Sequence, residues 1–162
     1  MKNKILVLSK VAFDCYMISK NLDDSNIESK NICIISINSI HDIKSVGEPH
    51  FKYNHSNVLL LWFDDIVPDE IDLEDGKILK SFSKEQGEEL IKFLDQNKDR
   101  NGYIVHCLAG VSRSAAVGLF ICEYFGFDYN EFIKANSQNH PNRKVTKILH
   151  NLTIYKHYGE GS

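Results

Sequence analysis

A cysteine and an arginine with five residues between them follow a short apolar run, and this arrangement constrains the fold more than any other feature of the chain. The segment reads HCLAGVSRS over residues 106–114 and follows the apolar residues 103–105. The run predicts a strand that ends at Cys107, and a helix is predicted to begin at Arg113. Backbone amides that converge at the N-terminus of a helix form an anion site. The sequence therefore predicts a loop that curls around one phosphate-sized anion.

The same loop favours a reactive thiol at Cys107. Its amide dipoles, the helix N-terminus and the Arg113 charge all favour the thiolate, which is the nucleophilic form. Gly110 permits a backbone angle that other residues resist, and Ser112 and Ser114 supply hydroxyls within reach of phosphate oxygens or sulfur. Only three of the 19 basic residues are arginines, so a planar, bidentate donor stands where a phosphate would need one. The alternative is a cysteine that merely packs in the core and an arginine exposed on a helix.

The rest of the chain alternates short apolar runs with helical patterns. Four apolar runs predict strands, and their β-branched, continuously apolar character favours a parallel sheet covered on both faces. We therefore expect one α/β domain over residues 1–158, with a mostly parallel sheet flanked by helices, and a disordered tail at residues 159–162. The predicted strands are residues 5–8, 32–37, 58–63 and 103–107. The predicted helices are residues 11–21, one that starts at Ser83 with a capping box to Gln86, residues 113–125 ended by Gly126, residues 129–135 capped by Asp128, and one that starts after Asn142.

Carboxylates follow the third predicted strand. Asp64 and Asp65 come directly after it, and parallel strands bring their carboxyl ends to the same edge of a sheet, where the cysteine also lies. The acidic segment 66–82 contains a proline and a glycine, and we interpret it as a mobile surface loop over the pocket. A leaving oxygen needs a proton, and a carboxylic acid on this loop is the natural donor. The candidates are Asp64, Asp65, Asp69, Asp72 and Asp75.

The segment HCLAGVSRS resembles the H-C-x5-R-S/T signature of the cysteine-dependent protein tyrosine phosphatases, in the form typical of dual-specificity phosphatases and compact prokaryotic relatives. Residues 63–66, FDDI, resemble the F-x-D-I run that closes the equivalent strand in the compact prokaryotic enzymes, and this favours Asp65 as the acid. In the eukaryotic dual-specificity enzymes the acid lies closer to the cysteine, so Asp72 and Asp75 stay open. The resemblance implies a tyrosine-phosphatase-like or dual-specificity-phosphatase-like fold.

The resemblance also implies a mechanism without a metal or a cofactor. Cys107 would attack phosphorus, Asp65 would protonate the leaving oxygen, and Ser114 would assist the departing thiolate. The expected substrate is a phosphorylated protein or peptide carrying phosphotyrosine, with or without phosphoserine and phosphothreonine. A module that binds phosphate without turnover and a phosphatase for a small phosphate ester are the alternatives. The phosphate would be held by Leu108, Ala109, Gly110, Val111, Ser112 and Arg113.

Charge and cysteine usage exclude several classes of protein. A net charge of −3 argues against a partner such as nucleic acid or a membrane surface, which would demand a basic face. The four cysteines are widely spaced with no C-x-x-C pair, so neither a zinc site nor a disulfide scaffold is indicated. No apolar stretch approaches the length of a membrane span, and the first residues do not form a signal-peptide pattern. We expect a monomer in a reducing cytoplasm.

Two flanking regions could shape the pocket. Arg143 and Lys144 place two cations at a helix N-terminus, where the helix dipole disfavours them. Asn142 could brace the cysteine loop and Arg143 could edge the cleft; the alternative is that Asn142 only caps the helix. Residues 47–53 either line one wall with aromatic side chains or form an ordinary surface loop. His106 points away from the cysteine along the strand, so we interpret it as structural.

Overall fold

A parallel four-stranded sheet forms the centre of the protein, for which a computed structural model describes residues 4–160. The strands in chain order are β1 (Lys4–Leu8), β2 (Ile32–Asn38), β3 (Val58–Trp62), β4 (Glu70–Asp72), β5 (Ile78–Lys80) and β6 (Gly102–His106). The sheet order is β1-β6-β2-β3, with every neighbouring pair parallel. The carboxyl ends of all four strands therefore meet at one edge, and β6 delivers Cys107 to the middle of it.

Helices cover both faces of this sheet. They are α1 (Lys10–Ser19), α2 (Ile43–Val46), α3 (Lys84–Gln96), α4 (Arg113–Phe125), α5 (Tyr129–Ala135) and α6 (Arg143–Glu160). Successive strand residues point to opposite faces, so Tyr103 and Val105 pack with residues of α3, α4 and α6, whereas Ile104 packs with Phe13 and Met17 of α1. The predicted α/β fold, a mostly parallel sheet flanked by helices, is confirmed.

The acidic segment after β3 is more ordered than the sequence indicated. Its interpretation as a loop over residues 66–82 is wrong for its central part, because β4 and β5 pair as an antiparallel hairpin with Glu70 opposite Lys80 and Asp72 opposite Ile78. Gly76 turns the chain with a φ of 85°, an angle that side chains with a Cβ resist. The three-residue strands are too short to give a clear alternating pattern in the sequence.

Most other differences are shifts of one or two residues at the ends of elements. Helix α1 begins at Lys10 because the Ser9 side chain accepts a hydrogen bond from Ala12 N. In the segment 47–53, Phe51 is fully buried against Phe13 and does not line the cleft. Helix α6 extends to Glu160, and residues 161–162 of the tail predicted to be disordered lie outside the described residues. None of the helices in the described part of the chain has both the length and the apolar character that a membrane span needs.

The outer edge of β1 is closed by a single side chain. Asn136 Oδ1 accepts a hydrogen bond from Val7 N at 2.7 Å, and its Nδ2 donates to Ile5 O at 2.9 Å and to Phe132 O at 2.9 Å. The amide thus takes the place of a neighbouring strand along part of β1. An edge strand otherwise leaves its backbone groups without partners.

We expect Asn136→Ala to lower the free energy of unfolding by about 2 kcal/mol, because it leaves backbone groups of β1 unpaired at a largely buried position. Urea unfolding followed by circular dichroism measures this change. Lys134→Ala, at an exposed position two residues earlier, is the control and should stay close to wild type. An Asn136→Ala protein as stable as this control would contradict the role of Asn136 at the edge.

Candidate active site

The loop between β6 and α4 is pressed against the start of α1. Gly110 has a φ of 73°, and a Cβ built on it would lie 2.5 Å from Ser9 N and 2.6 Å from Leu8 C. Real Cβ atoms do not approach backbone atoms so closely, and the angle itself favours glycine. Lys10 N also donates a hydrogen bond to Leu108 O at 3.1 Å. The loop is therefore fixed by backbone contacts to the neighbouring strand and helix.

Cys107 lies within this loop and is 2% exposed. Gly110 N donates to its Sγ at 3.3 Å, and the Ser114 Oγ lies 3.0 Å from the same sulfur. Ser114 is fully buried, so its hydroxyl is held beside the sulfur. A backbone amide and a hydroxyl thus surround one face of the sulfur, as the chemistry of a thiolate requires.

Arg113 is buried, and the alternative of an arginine exposed on a helix is wrong. The residue is 5% exposed; its Nη1 donates to Phe63 O at 2.9 Å, and its Nη2 lies 3.7 Å from Asp42 Oδ2. Its Nε is buried with no hydrogen-bond partner in the described part of the chain. A buried cation with an unused hydrogen-bond donor is well suited to bind an anion.

One cleft brings the predicted residues together. It contains Cys107, Arg113, Asp64 and Asp65, whereas Asp69, Asp72 and Asp75 are not among the described residues that line it. The full lining is His41, Asp42, Asp64, Asp65, Ile66, Leu79, Cys107, Leu108, Ala109, Ser112 and Arg113. Among the side chains that the structure describes, no group of three or more histidine, cysteine or acidic residues is placed to hold a metal ion.

Asp64 and Asp65 are neighbours in sequence but have different partners. Asp65 Oδ1 accepts hydrogen bonds from Ser112 Oγ at 2.7 Å and from Asn142 Nδ2 at 2.8 Å. Asp64 accepts from Ser39 Oγ and, at 2.8 Å, from Lys80 N. Asp64 therefore joins the hairpin to the end of β2, whereas Asp65 contacts Ser112 in the loop between β6 and α4, residues 107–112, which we call the phosphate loop after the anion that it is predicted to bind.

The two more distant aspartates with shifted pKa values are poor candidates for a proton donor. The hydrogen bond from Lys144 lowers the pKa of Asp69, and the hydrogen bond from the Lys77 backbone lowers the pKa of Asp75. A general acid has to be protonated when the substrate binds. Both shifts act against that requirement.

His106 braces the loop from below. Its Nδ1 lies 3.3 Å from Cys107 O, its Nε2 lies 2.6 Å from Ser36 Oγ, and its ring stacks on Phe13 with centroids 4.1 Å apart. Burial lowers the pKa of His106 to about 4, so the ring is neutral at pH 7. A neutral ring that donates from Nδ1 accepts at Nε2, so the Ser36 hydroxyl is the donor of that bond.

Asn142 both caps α6 and contacts the cysteine loop, as the sequence left open. Its Oδ1 accepts from the backbone N of Lys144 and of Val145, and its backbone N donates to Ser112 O. Its Nδ2 also donates to Asp65. Arg143 is exposed and does not line the cleft. Asp42 was missed by the sequence reasoning, although it also follows a parallel strand, β2, and the argument that selected Asp64 and Asp65 applies to it.

The fold is similar to that of known phosphatase structures. The human tyrosine phosphatase-like serine/threonine/tyrosine-interacting protein aligns with a TM-score of 0.51 and 20% identity over 82% of this chain and 86% of its own. The PTP-2 phosphatase of Cydia pomonella aligns with a TM-score of 0.50 and 17% identity over 91% of this chain and 84% of its own. No protein-family model and no curated protein matches the sequence. At these identities the likeness establishes the fold, which is the phosphatase-like architecture expected from the sequence.

We expect Gly110→Ala to distort the phosphate loop, because the added methyl group meets the backbone at Leu8 and Ser9 and the residue must keep a positive φ. The variant should lose at least about 2 kcal/mol of stability or shift the loop. Thermal unfolding measures the first effect, and amide chemical shifts of residues 107–112 measure the second. Gly126→Ala is the control, since it has a similar φ of 69° but no atom within 4 Å of the added Cβ. A Gly110 variant no more perturbed than this control would contradict the close approach.

The buried neutral His106 predicts a loss of stability at acid pH. Its pKa in the folded protein is lowered to about 4 from an ordinary 6.5, so the unfolded chain binds the proton more readily. The contribution of His106 to stability is present above about pH 6.5. The loss of this contribution amounts to about 2 kcal/mol at pH 5 and about 3 kcal/mol near pH 4. Urea unfolding at pH 7 and pH 5 tests this. His106→Gln, which does not titrate, should show a smaller loss over the same interval, and equal losses would refute the assignment.

Proposed function

We propose that the protein is a phosphatase that hydrolyses phosphate monoesters through a phosphocysteine intermediate. The observation that carries this proposal is buried Arg113 in the same cleft as Cys107, with a Nε that has no hydrogen-bond partner among the residues that the structure describes. A buried guanidinium with a free donor needs an anion, and a thiol beside it supplies the nucleophile. The loop amides from Leu108 to Arg113 would hold the three equatorial oxygens of the phosphoryl group.

In the first chemical step the thiolate of Cys107 attacks, which forms a bond from Sγ to phosphorus and breaks the bond from phosphorus to the ester oxygen. The leaving oxygen takes a proton from Asp65, whose contact to Ser112 keeps it next to the phosphate loop. Arg113 and the loop amides stabilise the charge that develops on the phosphoryl oxygens. The products of this step are the free alcohol or phenol and a phosphocysteine.

The second step returns the enzyme to its starting state. Water attacks phosphorus, Asp65 takes a proton from the water, and the bond from sulfur to phosphorus breaks. Ser114 Oγ, 3.0 Å from the sulfur, donates a hydrogen bond to the departing thiolate. Inorganic phosphate leaves the loop, and Asp65 is again protonated for the next turnover.

The proposed substrate is a phosphorylated protein or peptide, with phosphotyrosine as the main target. Leu108 and Ala109 are exposed at the loop, and Ile66 and Leu79 also line the cleft, so apolar surface is available to an aromatic ring. The cleft is lined by three aspartates and by Arg113, and Lys10 lines the neighbouring pocket that shares Cys107 and Leu108 with it. The excess of acidic side chains in the cleft disfavours a polyanionic substrate such as a phosphoinositide. A binding module without turnover would have the same cleft, so the experiments below measure turnover.

We expect Cys107→Ser to abolish hydrolysis of p-nitrophenyl phosphate, because a serine hydroxyl is not ionised near neutral pH. Residual kcat should be below about 1% of wild type. The variant should still bind inorganic phosphate in a calorimetric titration, since the loop amides and Arg113 remain. EDTA should leave wild-type turnover unchanged. Wild-type protein that binds phosphate but never turns over would support the binding module, and restoration of EDTA-treated enzyme by a metal would overturn the metal-free mechanism.

The general acid is tested by the basicity of the leaving group. Asp65→Asn should reduce kcat about 100-fold on phenyl phosphate and much less on p-nitrophenyl phosphate, because the activated phenolate leaves without a proton. Asp64→Asn and Asp72→Asn are matched controls and should keep the wild-type ratio of the two rates. If Asp64→Asn or Asp72→Asn changes the ratio of the two rates while Asp65→Asn leaves it at the wild-type value, the acid is not Asp65.

A further inference from the structure

Asn142 contacts three parts of the candidate site. Its backbone N donates to Ser112 O at 3.1 Å, and its Oδ1 accepts from the backbone N of Lys144 at 2.9 Å. Its Nδ2 donates to Asp65 Oδ1 at 2.8 Å and to Ile66 O at 3.2 Å. The residue is only 6% exposed, so these bonds form where water competes weakly.

The two bonds from Nδ2 hold both the side chain and the following backbone carbonyl of the acid segment. Asp65 is itself exposed, and an exposed aspartate would otherwise sample several rotamers. Asn142 and Ser112 both donate to Oδ1, and no hydrogen bond to Oδ2 occurs among the described residues. Oδ1 is thus the anchored oxygen, and Oδ2 is the one left to carry a proton.

The acid segment is also tied down from the other side. Asp64 Oδ2 accepts from Lys80 N at 2.8 Å, and His41 Nε2 lies 3.1 Å from Ile78 O. The first contact joins the hairpin to the residue before Asp65, and the second joins the hairpin to the region after β2, whereas Asn142 joins Asp65 to α6. The carboxyl group is therefore held in place before any substrate binds.

From these contacts we infer that Asn142 is a positioning residue that aligns Asp65 for proton transfer by fixing Oδ1 and leaving Oδ2 free. This inference rests on the proposed function, since it concerns how the acid works. Asn142 does not touch the phosphoryl group in this scheme. Its effect should therefore appear in the proton-transfer step and not in the binding of phosphate.

The difficulty in testing Asn142 is that it also caps α6, and Asn142→Ala would remove both functions. Asn142→Ser separates them: serine is a good helix cap, but its side chain is too short to reach Asp65. Asn142→Thr is the second variant, because threonine also caps helices and its hydroxyl is as short as that of serine. Lys147→Ala, at an exposed position on α6, is the control.

We expect Asn142→Ser and Asn142→Thr to lower kcat on phenyl phosphate about tenfold and kcat on p-nitrophenyl phosphate less than about threefold, with the affinity for inorganic phosphate unchanged. Lys147→Ala should keep the wild-type ratio. In an Asp65→Asn background, Asn142→Ser should have no further effect on the ratio, because the acid it positions is gone.

A purely structural role gives a different result. Equal losses on the two substrates, or a change in the ratio that persists in the Asp65→Asn background, would overturn the inference. A variant of Asn142 that keeps both the wild-type thermal unfolding midpoint and the wild-type ratio of the two kcat values would also overturn the inference. If Asp65→Asn itself leaves the ratio unchanged, the proposed acid and this inference both fail. If Asp65→Asn responds and Asn142 does not, only the inference fails.

Discussion

The burial of the Arg113 guanidinium is the constraint on which the rest of the site depends. A charge removed from water needs partners, because an isolated buried ion is strongly destabilising. The partners come from separate parts of the chain: the Phe63 carbonyl at the end of β3 and the Asp42 carboxylate after β2. The arginine therefore joins the ends of two strands to the first turn of α4. Among the described residues, its Nε has no hydrogen-bond partner.

The elements that carry the cysteine loop could be predicted from the sequence. Continuous apolar runs predicted the four parallel strands, and the helix Arg113–Phe125 was predicted with its observed bounds because the loop precedes it and Gly126 ends it in a left-handed conformation. Cys107 follows a predicted parallel strand and Arg113 begins the next predicted helix, so the topology alone placed both residues at one edge of the sheet. Local sequence patterns are enough to predict an element when its position depends on burial and on the residues that begin and end a helix.

The parts that could not be predicted depend on contacts between residues far apart in sequence. The hairpin β4–β5 is held by Asp64, which bonds to Lys80 sixteen positions away, and no local pattern reports such a pairing. The ion pair of Arg113 with Asp42 and the bond of Asn142 to Asp65 are similar cases. In the sequence, Asn142 has the ordinary pattern of a helix cap, and its second function appears only when α6 packs beside the acid segment.

The end of β3 shows how one short segment serves three purposes. The strand ends at Trp62 and the chain bends at Asp65, where Ile66 N donates a hydrogen bond back to Asp64 O, and the two adjacent aspartates have different partners. Phe63 supplies its carbonyl to Arg113, Asp64 turns to the hairpin and Ser39, and Asp65 turns to Ser112 and Asn142. The choice between two adjacent carboxylates, which the sequence left to resemblance, thus has a physical basis. Asp64 is bonded to the hairpin, whereas Asp65 lies beside the loop that carries Cys107, which is the position that the proposed acid requires.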